Sequence, residues 1–189
     1  ASYYTPHVLT ECLVKYALKD LLKGIETDEI LNLTICEPAM GSAAFINEAI
    51  DQLSEAYLTR KQKETGNIIP QDEYITEKQR VKMHIADHNV YGIDLNPIAV
   101  ELAEVSLWLN TIHKGAHVPW FGLQLKCGNS LIGARRQFFL RSQVVKNSKN
   151  SYLKAVPKRF DWQGRAVANR IYHFLLPDAE MASYKNKVI

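Results

Sequence analysis

The stretch "NVYGIDLNPIAVELAEVSLWLNTIHKG", residues 89–115, restricts the fold more than any other. "NVYGID" reads as a short strand that ends on an acid, Asp94. Asn96-Pro97 then supplies an N-cap and a proline at the first helical position. Beyond it Val100, Ala103, Leu107, Trp108 and Ile112 keep helical spacing, and Gly115 marks the stop. A strand that passes through a polar turn straight into a helix is half of a βαβ unit.

The same grammar occurs upstream. "LNLTIC" reads as a short buried strand, and Glu37-Pro38 with Gly41-Ser42 forms its turn. Phe45, Ile46, Ala49, Ile50, Leu53, Ala56 and Tyr57 then follow at helical spacing. "GLQLKC" reads as a third strand, ending at Gly128-Asn129-Ser130. Ahead of all three, Thr5-Pro6 caps a helix carrying Val8, Leu9, Cys12, Leu13, Tyr16, Ala17 and Leu21, with Gly24 as its stop. Residues 60–88 are polar and broken by Gly66 and Pro70; they read as a surface insertion, helical from about Glu73. Helix and strand in alternation predict a parallel sheet with right-handed crossovers and helices on its faces.

Ligands of such sheets bind at the carboxyl ends of the strands, where all three polar turns fall. Gly41 lets a ligand approach without a Cβ in the way, and the helix start beyond it suits a negative group. Asp94 stands where an acid accepts hydrogen bonds from ribose hydroxyls. The plainer readings are a tight strand-to-helix turn at Gly41 and a helix cap at Asp94, although Asn96 already caps. A phosphate-binding loop is excluded because "GSAAFI" has no lysine, and the G-x-G-x-x-G dinucleotide pattern is absent.

With these residues in view, the chain resembles the N-terminal, S-adenosylmethionine-binding part of an N6-adenine-specific DNA methyltransferase of the large, type IIG-like restriction–modification family. "YYTP" before a helix resembles the family's N-terminal motif, "CEPAMGSAAF" its first, "VYGIDLNPIAVELAEVSLWL" its second and "GNSLIG" its third. The resemblance spans residues 3–133. It implies a partial Rossmann-like class I methyltransferase fold, an α/β parallel sheet with flanking helices that lacks the later strands. It further implies that Glu37, Ala39 and Gly41 line the methionine part of the cofactor, with Tyr4, Thr5 and Pro6 closing over it. Asp94 would hold the ribose hydroxyls, Leu95 or Pro97 would pack near the adenine, Asn129 would take the adenine amino group, and Leu131 would flank the ring.

Two positions depart from the family pattern in that first motif. Ala43 stands where glycine is usual, and Met40 where cysteine is common. A larger departure concerns the chemistry. The family's fourth motif, Asp/Asn-Pro-Pro-aromatic, holds the target adenine, yet none of the seven prolines adjoins another. The expectation is therefore a cofactor-binding fragment, itself inactive and with no catalytic residue of its own, of an enzyme whose partner is double-stranded DNA. In such a sheet the first strand is central, so stopping after three strands leaves its edge open to self-association. "RIYHFLL", residues 170–176, is the local candidate to cover it, or else a neighbouring chain does.

Charge divides the chain. Residues 1–133 hold 11 Lys/Arg against 17 Asp/Glu, whereas residues 134–189 hold 12 against 3. The first part reads as the cofactor-binding domain. The second reads as a basic segment, either facing DNA or opening an inserted region, with Arg135, Arg136, Lys158, Arg159 and Arg165 as phosphate contacts. A solvated basic surface is the plainer alternative. Trp162 and Tyr172 are stacking candidates, although aromatic residues more often serve a core. Cys12, Cys36 and Cys127 are odd in number and lie in apolar segments, which predicts small buried side chains in a reducing cytoplasm. The pairs His84/His88 and His113/His117 lack the glutamate and partner cysteines of a zinc site, so no metal is expected. No apolar run reaches the ~20 residues of a membrane helix. A non-catalytic scaffold or DNA-recognition module, and a methyltransferase acting on RNA or protein, are the competing readings.

Overall fold

In the computed structural model, residues 5–131, 136–144, 155–160 and 168–173 are described. The chain forms two compact units, residues 1–130 and 131–189, taken in turn below.

Helix α1 (His7–Lys23) opens the first unit. Its N-cap is Pro6, one residue later than expected from Thr5, and the Pro6 carbonyl accepts the N–H groups of Leu9 and Thr10 at 2.9 and 3.2 Å. The buried face also differs from expectation. Thr10 and Val14 are buried and Leu18 and Leu22 pack on the core, a strict four-residue spacing, while Val8, Leu9, Leu13 and Tyr16 face solvent. Helix α1 is apolar on two faces, so periodicity alone cannot say which one meets the sheet.

A short 3-10 turn (Asp28–Asn32) replaces the start of the expected first strand, and β1 is Ile35–Glu37. The Asn89 side-chain amide donates to the Leu31 and Leu33 carbonyls at 2.7 and 3.0 Å, which holds this connection to the residue that precedes the second strand. Helix α2 (Ala44–Thr65) ends at Gly66, whose φ of 70° and N–H bond to the Gln62 carbonyl terminate it. Helix α3 (Gln71–Asn89) follows. Residues 60–88, read from the sequence as a surface insertion, hold the end of α2 and nearly all of α3. Met83, Ile85 and Ala86 of α3 are buried. The polar composition conceals a short apolar stripe that is enough to seat the helix.

Strand β2 is Val90–Asp94, helix α4 is Pro97–Thr111 and strand β3 is Leu125–Cys127. The sheet is parallel in the order β1-β2-β3, with Glu37 opposite Gly92 and Asp94 opposite Cys127. The strand-to-helix turn at Asn96-Pro97 forms as expected, the Asn96 side chain accepting the Ile98 N–H at 3.0 Å. Helix α4 stops at Thr111, before Gly115.

One sheet face carries the core. Ile46, Ile50 and Leu53 of α2, Ile85 of α3, Val100 and Leu107 of α4 meet Val90 and Leu125 there. Each such side chain contributes roughly 1.5–3 kcal/mol by burial. The opposite face shows Cys36, Tyr91 and Lys126 to solvent. Cys12, on the outer side of α1, and Cys127 are exposed as well, so the expectation of buried thiols fails for all three. An apolar segment does not bury every residue in it when, among the described residues, nothing covers one of its faces.

The architecture is the mixed α/β, partial Rossmann-like arrangement that the motifs imply. Among the described residues, no strand pairs with the outer edge of β1. Arg170–Tyr172, expected to cover it, forms part of a separate sheet in the second unit, and residues 174–176 lie outside the described residues. That sheet is antiparallel, in the order β5-β4-β6, from β4 (Gln137–Leu140), β5 (Lys158–Arg159) and β6 (Arg170–Tyr172). A single helical turn, α5 (Arg141–Val144), follows β4. Among the described residues no helix is long and apolar enough to cross a membrane.

Candidate cofactor-binding cleft

The three strand-end turns are stitched to one another by backbone. The Met40 N–H donates to the Ile93 carbonyl at 3.0 Å, and the Gly128 N–H donates to the Asp94 carbonyl at 2.9 Å. The Asp94 carboxylate joins the first two turns directly. Its Oδ2 accepts the Gly41 N–H at 2.8 Å and its Oδ1 accepts the Asn96 N–H at 2.9 Å.

Local backbone explains how the first turn reaches that carboxylate. Gly41 has φ 52° and Ala43 φ 67°, so two left-handed residues fold the chain back before α2 begins. The Ala43 N–H closes the turn on the Met40 carbonyl at 2.8 Å. Met40 is buried beneath it and seated on Gly92: a Cβ on that glycine would stand 2.3 Å from the Met40 sulfur. Gly92 therefore lets the turn lie directly on β2.

Above these turns is a cleft of about 350 Å³. Ala39 to Ser42 form one side of it, Ala44 and Phe45 come from the first turn of α2, and Thr5 precedes α1. Asp94 and Asn96 supply polar atoms, while Ile98, Ala99 and Leu102 of α4 supply an apolar wall. The volume is at the lower end of the range for small-molecule sites. Hydroxyl groups suit the carboxylate end and a flat ring suits the aliphatic wall.

Of the residues marked in the sequence, Thr5, Ala39, Gly41 and Asp94 line this cleft. Glu37 borders an adjoining apolar hollow of about 290 Å³, among Val14, Leu18, Ile46 and Ala49, and Phe45 lines both spaces. Burial there pushes the Glu37 carboxyl above its ordinary range, opposed by a hydrogen bond from the Ala39 backbone. Pro6 is engaged as the α1 cap. Leu95 and Pro97 flank the turn without lining the cleft, although their neighbours Asn96 and Ile98 do. Asn129 is exposed and outside the lining, and Leu131 belongs to the second unit, 93% exposed. Tyr4 lies outside the described residues.

Phe45, Ile98 and Leu102 went unmarked in the sequence. Ile98 and Leu102 are one helical turn apart, on a face of α4 distinct from Val100, Ala103 and Leu107. A second apolar stripe rising from an acid-ended turn was the available signal. Elsewhere, Arg136, Lys158 and Arg159 are exposed in the second unit, whereas Arg135, Trp162 and Arg165 lie outside the described residues. His84 and His88 stack at 4.6 Å, and burial followed by the His88 charge lowers the His84 pKa. His113 faces the Thr111 carbonyl while His117 lies 3.3 Å from Asp87, so the second histidine pair is drawn to different partners.

Comparison with known proteins gives a family and a relative. The N-6 DNA methylase family matches residues 1–131. A protein of Methanocaldococcus jannaschii named as a type II restriction enzyme and methyltransferase is 32% identical over 120 residues, covering 56% of this chain and 9% of that protein. The chain thus spans about a tenth of that relative's length.

Proposed function

This chain belongs to the N-6 DNA methylase family, and from that premise we propose that residues 1–133 are the cofactor-binding part of an adenine-N6-specific DNA methyltransferase within a restriction–modification enzyme. Its methyl donor is S-adenosylmethionine and its substrate double-stranded DNA. The observation that carries the reading is the Asp94 carboxylate at the lip of the cleft. Each of its oxygens takes one backbone N–H, and each retains a lone pair for a sugar hydroxyl.

The residues fit the group. Gly41 offers open space where a Cβ would stand, and Ile98 and Leu102 offer aliphatic contact for a purine. In this reading Asp94 holds the ribose and Ala39 to Ser42 flank the methionine part. Glu37 borders the adjoining hollow, and a cation beside it would oppose the upward shift of its pKa. Bound there, the cofactor supplies an activated methyl group on its sulfonium centre. The chain's own part is orientation, because a fixed geometry converts an encounter into a near-unimolecular step. The Asp/Asn-Pro-Pro-aromatic element that holds the target adenine is absent from these residues. This chain is therefore proposed to bind cofactor without transferring the methyl group.

Titration calorimetry with S-adenosylmethionine tests the proposal. A saturable heat with one site per chain is expected. No heat at about millimolar ligand, a binding free energy weaker than about 4 kcal/mol, contradicts it and leaves a scaffold that uses no cofactor.

A further inference from the structure

We propose that the side-chain relay Lys82–Asn110–Asn47–Ser106 fixes the rotation of α4 about its own axis and so presents Ile98 and Leu102 to the cleft, with Asn47 and Ser106 as positioning residues. The Lys82 Nζ donates to the Asn110 Oδ1 at 2.6 Å. The Asn110 Nδ2 donates to the Asn47 Oδ1 at 3.0 Å, and the Asn47 Nδ2 donates to the Ser106 Oγ at 2.7 Å. The relay therefore crosses from α3 to α4, to α2 and back to α4. Lys82 is buried, and Asp51, one turn beyond Asn47 on α2, meets its charge at 2.6 Å.

The cation gives the relay its direction. An ammonium group only donates, so Asn110 turns its oxygen to Lys82 and its NH2 group to Asn47. Asn47 in turn offers its oxygen to Asn110 and its NH2 group to Ser106. One buried charge thus orients both amides, and loss of any member leaves a neighbour without its partner.

The need for such a relay lies in α4 itself. Val100, Ala103 and Leu107 face the core, while Ile98, Leu102, Val105 and Leu109 form a second apolar stripe, 44–63% exposed. Apolar burial is non-directional, so it favours a helix turned to bury either stripe. At about 100° per residue, Ser106 and Asn110 fall on the border between the two stripes. Polar groups there find these partners in only one rotational setting, as single polar positions fix register in paired helices. The link to the cleft is short: Leu102 and Ala44 line it, and Ser106 and Asn47 stand one turn beyond them.

The inference rests on the function proposed above for the identity of the ligand. The test uses the full chain, with S-adenosylhomocysteine affinity read by titration calorimetry and folding verified by urea denaturation. Ser106→Ala and Asn47→Ala are each expected to weaken the ligand about threefold to tenfold, the worth of one uncharged hydrogen bond. Ser106→Thr keeps the hydroxyl and is expected to keep native affinity. The Ser106→Ala/Leu102→Ala double variant is expected to lose less than the product of the two single losses, because Ser106 acts through the wall that Leu102 forms. Glu55→Gln removes an α2–α3 contact two turns further along α2, at Lys78, and is expected to lower stability with affinity unchanged.

Native affinity in Ser106→Ala and Asn47→Ala overturns the inference and leaves the proposed function standing. So does a Ser106→Thr as weak as Ser106→Ala, a double variant whose losses simply multiply, or an equal loss of affinity in Glu55→Gln, since the relay would then only add stability. If the native chain binds no S-adenosylhomocysteine, the proposed function falls and the inference with it.

Discussion

The Gly41 N–H donates to the Asp94 carboxylate at 2.8 Å, joining two turns that lie 53 residues apart. This bond places the acid beside Gly41, which has no Cβ, at the rim where the carboxyl ends of the three parallel strands meet. An acid anchored by backbone donors needs little reorganisation when a ligand's hydroxyl groups arrive.

Gly92 sets the height of that turn. Gly92→Ala forces a methyl into the Met40 sulfur and against Leu125, whose nearest atom would lie 3.0 Å from the new Cβ. Overpacking of this kind costs about 1–3 kcal/mol. Met40→Cys shortens the obstructing side chain, so the double variant is expected to recover part of the loss. Chemical denaturation of the four proteins of this cycle measures the coupling, and strictly additive losses contradict direct seating of Met40 on Gly92.

Ala43 is fully buried and holds φ 67°, a left-handed conformation that costs a non-glycine residue about 1–2 kcal/mol. Ala43→Gly relieves that strain and gives up a buried methyl worth about 0.8 kcal/mol. The two nearly cancel, leaving stability unchanged or raised by up to about 1 kcal/mol. A loss above about 1 kcal/mol, as in a regular helix, contradicts the strain.

Glu37 and Glu55 are expected to respond to pH with opposite sign. The Glu37 pKa is raised, first by burial, so the folded state holds a proton that the unfolded chain has released, and stability falls as pH rises above the ordinary value of 4.5 through the folded pKa. Glu37→Gln removes that fall and raises the melting temperature at neutral pH. The Glu55 pKa is lowered, first by the Lys78 hydrogen bond at 2.8 Å, so its stabilisation is present above 4.5 and lost as pH falls through the folded pKa. Glu55→Gln lowers the melting temperature at neutral pH. Melting curves across about pH 3 to 8 check both directions, and shifts of like sign contradict them.

Much of the site was legible because its chemistry is local. Asn96-Pro97 caps a helix in any context, and an acid ending a strand beside it must face the strand-end rim. Gly41 was legible as an open position in the turn for the same reason, and its left-handed φ came with the fold. The rest depends on what lies across from a residue. Glu37 is two positions from Ala39 yet turns toward α1, since β1 is only three residues long and alternation sends its side chain to the hollow. Helices α1 and α4 carry two apolar stripes each, and only the packed fold decides which stripe becomes core and which lines the cleft. In α3, a few buried residues outweigh a polar average.

The central claim is that Asp94 holds a ribose through its hydroxyl groups. The direct measurement compares the affinity of S-adenosylhomocysteine with that of its analogue lacking both ribose hydroxyls, in the native chain and in Asp94→Ala. Hydrogen bonds to a charged group are worth about 1.5–3 kcal/mol, so the native chain is expected to prefer the hydroxylated ligand by about tenfold to a hundredfold, and Asp94→Ala to lose that preference. Equal affinity for both ligands in the native chain, or a preference that survives in the variant, contradicts the account.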